Sequence, residues 1–440
     1  MKKPKQRKKK QKANQAFSES VGHSGERSDS RIVVKNNDSG RVIIPRYRGT
    51  GMTMNNILLF LFVLLLPTQL GKHFFFDFSY LSGVRVDYLA PTIYITDVLA
   101  LILIVLNLKS VIKFLFSKKA LILLSLLFLN VLISQFHLIS IYRYIKILEL
   151  LTVFIIFKTN KLSPGYLLYG FLIGGIFELF LTTAQFINKH SLQGIFYFFG
   201  ERPLSLSMPG IAKASLSGIE ILRPYGTFSH PNSLAGFYLL VYFFVLTCKN
   251  LSNSLAKNIL LLICSLLIFI SFSKITIMTF LLLNFIYLWK SPLKKYCKFC
   301  FFARTFILLI VSLVFLPAQS DPLTLQKRLL LMQNSFKMIL QSPFFGTGLG
   351  NYLIVQEQFP QLFADFLNQP VHNIFLLFLS ETGAITILLL FFLFFKKLIS
   401  AVKKYPYILI IILITGLFDH YWLTLQQNFL LMGVILGLIL

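Results

Sequence analysis

Acidic residues are scarce in this chain: 16 Asp and Glu among 440 residues, against 43 Lys and Arg. Charged residues of either sign make up 13%, about half the roughly 25% of an ordinary soluble domain. With 56% hydrophobic content and mean hydropathy +0.72, a water-soluble fold is excluded for most of the chain. Cysteine is limited to Cys248, Cys264, Cys297 and Cys300, all in apolar or lysine-rich stretches, so outer disulfides are not expected. Cys297-x-x-Cys300 supplies half of a zinc site, but a structural site needs four ligands and there is no second pair. Strand alternation at period two is missing, which argues against a β-barrel. No internal repeat is evident.

What the chain does have is a series of apolar stretches near twenty residues long, the mark of an all-α polytopic membrane protein. Twelve spans are expected, at 55–70, 92–108, 120–136, 140–157, 165–187, 231–248, 258–272, 274–289, 303–317, 371–395, 405–417 and 421–440. The breaks 109–119, 158–161, 249–257, 290–304 and 396–404 contain 4, 2, 2, 5 and 4 Lys/Arg and no Asp or Glu. By the positive-inside rule these face the cytoplasm, as do both termini. The outer loops are then 71–91, 188–230 and 318–370, and six of the seven histidines, all but His23, fall at or near the outer face.

Residues 1–54 form a tail ahead of the membrane domain at 55–440. Residues 1–50 carry 14 Lys/Arg against 4 Asp/Glu, a net +10, with Ser, Gly, Asn and Asp but little to bury. Disorder is expected, and a cytoplasmic tail held near anionic lipid fits better than a nucleic-acid-binding arm. A long polar stretch separates it from the first apolar helix, unlike a signal peptide. In the outer loop 318–370, Asp321-Pro322 predicts a helix start. Leu325, Leu329, Met332, Phe336 and Ile339 follow at spacings of four and three, an interfacial amphipathic helix ended by Ser342-Pro343.

Ionisable groups beside a membrane are expensive and read by default as functional. Three segments meet that test. Arg223-Pro-Tyr-Gly-Thr-Phe-Ser-His230-Pro-Asn232 leads into a helix whose N-terminus faces outward and favours an anion. Arg223 adds a forked donor suited to phosphate; a capped re-entry into the membrane explains the segment equally well. The second joins Arg328 to Gly346-Thr-Gly348-Leu-Gly-Asn351, whose glycines can form an anion nest, although most such turns only close a loop. The third is His372-Asn373, at the mouth of another outward-facing helix, where histidine can act as general base or donate to phosphate. An interfacial structural histidine is the plain alternative. Lys274 can add charge to the same pocket. Arg143, Lys146 and Glu149 lie every three residues along one helix and read as either substrate contacts or a buried ion network. Glu381 lies deeper and is expected to face inward, paired with a cation. The carboxylates Asp321, Glu357, Asp365 and Asp419 are scattered and the histidines lack ligand spacing, so no metal is expected.

Taken in order, Arg223-x-x-Gly-Thr-Phe-x-His-Pro-Asn232-x-x-Ala235, Arg328, Pro343-x-x-Gly346-x-Gly348-x-Gly350-Asn351, His372-Asn373-x-x-Leu376 and Glu381-x-Gly383 resemble the bacterial O-antigen ligase/O-antigen polymerase superfamily. The likeness covers about residues 55–440; the basic tail lies outside the family pattern, and Lys274 stands where an Arg is common. The resemblance implies a GT-C-like membrane glycosyltransferase with about twelve transmembrane helices and two large outer loops, 188–230 and 318–370, using neither metal nor cofactor. Such a protein transfers a glycan from undecaprenyl pyrophosphate to an acceptor hydroxyl, on lipid, glycan or protein, at the outer face of the cytoplasmic membrane. Carried over, Arg223 and Arg328 bind and neutralise the pyrophosphate, with His230, Asn232, Lys274, Gly346 and Gly348 around it. His372 activates the acceptor or assists the leaving group. Surface-polysaccharide polymerase and protein O-oligosaccharyltransferase share these motifs. A lipid-linked glycan flippase or secondary transporter is the reading from another class, kept open by Glu149, Glu178 and Glu381.

Overall fold

The structure, a computed structural model, describes residues 53–160, 162–216, 218–248, 251, 254–290, 298–318, 324–359 and 369–440. The basic tail, Asp321-Pro322 and the side chains of Cys297 and Cys300 lie outside them. The described chain is helix-rich. In order come α1 (Met54–Leu65), α2 (Ile95–Leu106), α3 (Leu108–Leu115), α4 (Lys118–Ile133), α5 (His137–Thr159) and α6 (Pro164–Asn188). After a long connection follow α7 (Pro231–Thr247), α8 (Leu255–Ile270), α9 (Lys274–Lys290), α10 (Lys298–Phe315) and α11 (Thr324–Gln341). The chain closes with α12 (Tyr352–Gln356), α13 (Ile374–Lys404), α14 (Pro406–Phe418), α15 (Tyr421–Thr424) and α16 (Gln426–Ile439).

A helix occupies the place of each expected span, with corrected edges. Residues 92–94 are a strand, so α2 begins at Ile95. The helix 371–395 runs on to Lys404, and 421–440 is divided at Leu425. By length and composition α6 and α13 are each able to cross a membrane, and α2 with α3 make a third if that pair, bent by 92°, counts as one span. Helix α5, at 23 residues, is long enough but carries Arg143, Lys146, Glu149 and Lys158; α14, at 13 residues, rises about 20 Å at 1.5 Å per residue, less than a bilayer core of about 30 Å.

Packing relies on close backbone approach. Within a bilayer lipid tails are as apolar as leucine, so helices associate through contact and small residues. Gly170 and Gly174 of α6 seat α1, and Gly433 and Gly437 of α16 seat α5. A Cβ on Gly437 would stand 2.4 Å from Phe154 O. Helix α7 is buried on every side, from Pro231 through Val245 at all positions but Asn232, and forms the centre of the core. The bend between α2 and α3 is fixed by a ring of amides: Asn107 donates to Asn55, Asn55 to Asn160 and Asn160 to Asn107, at 2.8–3.0 Å.

The connections carry short antiparallel pairs: β1 (Gly71–His73) with β4 (Thr92–Tyr94), β2 (Tyr80–Leu81) with β3 (Val84–Arg85), and β5 (Lys213–Leu216) with β6 (Ile219–Leu222). On α11 the stripe Leu325, Leu329, Met332 and Phe336 faces away from the protein, while Leu331, Asn334, Ser335 and Met338 pack inward. An outward apolar stripe suits a helix lying on lipid. Helix α13 is broken at Gly383 (φ 73°, ψ 172°), a conformation open almost only to glycine. The freed backbone groups are taken up by the loop before α12. Thr347 N donates to Ser380 O and Gly348 N to Glu381 O, both at 2.9 Å, and Ala384 N donates to Pro343 O at 2.8 Å. Non-helical backbone at membrane depth survives only when such partners exist.

Candidate active site

Glutamate and glutamine from α6 build the first wall. The segment from Arg223 to His230 crosses above α6, where Gln185 Oε1 accepts from Tyr225 N (3.0 Å) and Gly226 N (2.8 Å). Glu178 Oε2 accepts from Thr227 N at 3.1 Å. Gly226 has φ +59°, and a Cβ there would stand 2.1 Å from Glu178 Oε2, so only glycine lets the loop settle this low. His230 then caps α7, its Nδ1 accepting from Asn232 N at 3.1 Å.

From that platform a polar chain crosses the site. Arg223 Nε donates to Ser271 O at 2.9 Å, and its Nη2 donates to Asn232 Oδ1 at 2.6 Å. Asn232 Nδ2 donates to Asp419 Oδ2 at 2.8 Å. The other carboxylate oxygen accepts from His420 N at 2.8 Å and lies 3.6 Å from His372 Nδ1. The rings of His372 and His420 have centroids 5.2 Å apart. Arg328 reaches the same turn from α11, Nη1 donating to Phe418 O at 3.1 Å. Asn373 caps α13 and donates to Leu417 O at 3.3 Å. The end of α14 and the turn into α15, residues 417–420, therefore gather His372 beside the Asp419 carboxylate, Arg223 through Asn232, and Arg328 through Phe418 O.

Two polar atoms at this centre are buried without a hydrogen-bond partner among the described residues: Arg328 Nε and His372 Nδ1. His372 Nδ1 faces Asp419 just beyond hydrogen-bond length, whereas Arg328 Nε–H is a buried donor open to a ligand. Burial shifts the neighbours. It lowers Arg223 to about 10, Asp419 working against the shift and Arg328 with it. It also lowers His230 to about 3, helped by Arg223, and His420 to about 4. Both rings are neutral at pH 7 and act as hydrogen-bond groups. For Asp419 burial alone would raise the pKa, but the adjacent His372 outweighs it and holds the carboxyl well below its usual range. Asp419 is thus an anion in the fold, 8% exposed.

The structure brings together Arg223, Arg328, His372, His230 and Asn232. Lys274 opens α9 as an exposed residue three positions after Ser271 and is not part of the hydrogen-bonded cluster. Gly346 and Gly348 form no open anion nest: Gly346 N donates to Ser342 O, Gly348 N to Glu381 O at the break in α13, and Leu349 N to Asn130 Oδ1, so all three amides are used within the fold. Arg143, Lys146 and Glu149 belong to a separate polar group. Lys146 bridges Asp97 at 2.5 Å and Glu149 at 3.3 Å, while Arg143 donates to Tyr88 O at 2.9 Å. Glu381 faces inward as expected: its carboxylate accepts from the Tyr88 hydroxyl at 3.1 Å and from the backbone N–H groups of Gly350 and Tyr352, and Arg143 is the cation that interacts with it electrostatically.

Sequence reasoning leaves Asp419 among scattered carboxylates and does not single out His420. The signal is nevertheless there: an ionisable pair between two apolar helices is as costly as the three segments above. One ligand atom each from His372, Asp419 and His420 lie within 4.8 Å of one another, a set able to hold a metal ion. Asp419 already accepts from Asn232 and His420, and two arginines stand close by, a field that opposes a cation and favours an anion.

Residues 259–392 match the family model described as O-Antigen ligase, which supports membership of that superfamily. The matched segment contains Lys274, Arg328, the Gly346–Asn351 turn, His372 and Gly383, and excludes Arg223 and Asp419. No curated protein matches the chain.

Proposed function

For this member of the O-antigen ligase superfamily, we propose transfer of a glycan from undecaprenyl pyrophosphate to an acceptor hydroxyl, without metal, at the outer face of the cytoplasmic membrane. The supporting observation is the meeting of Arg223, Arg328 and His372 at the Leu417–His420 turn. Departing pyrophosphate gains negative charge in the transition state, and fixed donors lower that barrier most when they need no reorganisation. Arg223 is fixed by Ser271 and Asn232, and Arg328 has Nε–H still to give. His372 takes the acceptor proton, with Asp419 beside its Nδ1 to orient the ring and stabilise the imidazolium as it forms. Direct in-line displacement would invert the anomeric carbon.

The same reading includes a GT-C-like layout of about twelve spans, both termini cytoplasmic, a tail at 1–54 and outer loops at 188–230 and 318–370. The acceptor distinguishes a ligase from a polymerase or a protein O-oligosaccharyltransferase. Local bonding argues against a transport pathway. Glu178 holds the Arg223 loop, Glu149 pairs with Lys146, and Glu381 accepts from Tyr88, so none of the three is left as an open relay.

The test uses purified protein in liposomes with an undecaprenyl-pyrophosphate-linked glycan and a mixed pool of lipid, glycan and peptide acceptors. Labelled acceptor and free undecaprenyl pyrophosphate are expected together, and both should vanish in Arg223→Ala and Arg328→Ala. Intact donor crossing the bilayer instead would assign the protein to transport.

A further inference from the structure

Beside the histidine pair opens a cavity of about 250 Å³ whose chemistry differs from that of the arginine site. Its polar wall is made of Tyr88, Tyr94, Tyr142, Arg143, Lys146 and Glu381, facing leucines of α4, α5 and α13. The cations on this wall are already committed. Lys146 is neutralised by Asp97 and Glu149, and its Nζ lies 5.4 Å from the Tyr94 ring and 5.7 Å from the Tyr142 ring. The Arg143 guanidinium lies 4.4 Å from the Tyr88 ring centre, donates to Tyr88 O, and has its charge countered by Glu381. A phosphate would meet no uncompensated positive charge here, in contrast to the site around Arg223 and Arg328.

What the wall offers suits a neutral, hydroxyl-rich ring. Arg143 Nε is buried and has no partner among the described residues. Glu381 accepts from the Tyr88 hydroxyl and the backbone N–H groups of Gly350 and Tyr352, which leaves about one of a carboxylate's roughly four lone-pair sites for a ligand. Tyrosine faces and leucines cover the apolar face of a sugar. An acyl chain would leave Arg143 Nε–H and Glu381 against hydrocarbon, at the cost of burying unpaired polar groups. The volume is at or below the small end of ligand pockets, roughly 300–1,000 Å³, and so fits one ring rather than a chain of them. One lining residue ties the cavity to the reacting centre: Thr424 Oγ1 is 2.7 Å from His420 Nδ1, and the His420 ring is tilted by 41° to that of His372.

We infer that this cavity is a pyranose-binding subsite that seats one neutral sugar on the Thr424 side of the histidine pair, separately from the pyrophosphate. The sugar belongs either to the acceptor or to the reducing end of the donor glycan. Only this last assignment rests on the proposed transfer reaction; sugar binding itself does not.

The full-length protein in nanodiscs is therefore examined by saturation-transfer NMR with methyl β-N-acetylglucosaminide and methyl α-galactoside as probes. At least one glycoside should receive saturation, undiminished by excess inorganic pyrophosphate or by Arg223→Ala. Arg143→Gln should weaken it about tenfold, as expected for one charge-assisted hydrogen bond. Leu423→Trp, which fills the cavity from its lining, should abolish it in protein that melts like the wild type. Absence of saturation for both glycosides, or loss in Arg223→Ala but not in Leu423→Trp, overturns the subsite. Release of a co-purified lipid by Leu423→Trp, with glycoside binding unchanged, overturns it in favour of an acyl pocket. In the transfer assay, a raised KM for acceptor alone in Arg143→Gln places the acceptor sugar in the cavity, and a raised KM for donor alone places the donor sugar there. Sugar binding without any transfer would retain the subsite and reject the reaction.

Discussion

At the scale of single residues, the site depends on one carboxylate that joins two arginine-bearing segments to a histidine. Asp419→Asn keeps the size of the side chain but removes the charge beside His372 Nδ1. Transfer should fall about a hundredfold, the low end of what a positioned acid–base pair supplies, with donor KM little changed, in a steady-state assay. Protonation gives a second expectation. His230 and His420 are neutral in the fold, with pKa values of about 3 and about 4, against 6.5 when unconstrained. Below pH 6.5 the unfolded chain therefore binds more protons than the folded one. The stability linked to these rings is fully present above that pH and is lost as pH falls towards 4. Thermal midpoints measured in detergent should drop across this interval, and the drop should be smaller in His230→Gln.

At the scale of elements, glycines decide where helices stop and how near they come. Gly383 breaks α13, and a Cβ at this position would stand 2.2 Å from Phe344 O. Gly383→Ala combines that clash with a backbone conformation costing roughly 1–3 kcal/mol for other residues. It should lower the melting temperature and the yield of folded protein, and disturb His372 at the start of the same helix. Gly437→Leu should act more simply, pushing α16 away from Phe154 of α5. Its melting temperature should fall while the KM of the residual folded enzyme is unchanged. A Gly437→Leu protein as stable as wild type would show that this helix contact is not close in the membrane.

At the scale of the whole molecule, an apolar body supports a small charged centre made from segments far apart in sequence. Arg223, Arg328, His372 and Asp419 are spread over nearly two hundred residues, yet the turn 417–420 binds them into one cluster. His372, Asp419 and His420 can in principle accept a metal, so chelation is the decisive test of metal-free chemistry. EDTA followed by gel filtration should leave the transfer rate unchanged, because two arginines already supply the positive charge that a metal would bring. Loss of activity restored by one divalent ion would instead make Asp419 a ligand.

The sequence determined the membrane-protein class and the place of each helix, and it singled out Arg223, Arg328 and His372, which the fold brings to one turn. Each of these follows from local cost: apolar runs long enough for a bilayer, lysines between them, and ionisable groups where hydrocarbon makes them expensive. The glycine run 346–350 was equally visible but misleading, because amide groups that look available along a chain can be consumed by another segment. Only the tertiary structure decided that Thr347 and Gly348 satisfy the break at Gly383, that Asp419 lies at the centre of the polar cluster, and that Arg143 and Lys146 line a separate cavity. These are matters of pairing between distant residues, and a hydrogen-bond partner hundreds of residues away leaves no mark on the local pattern of either segment.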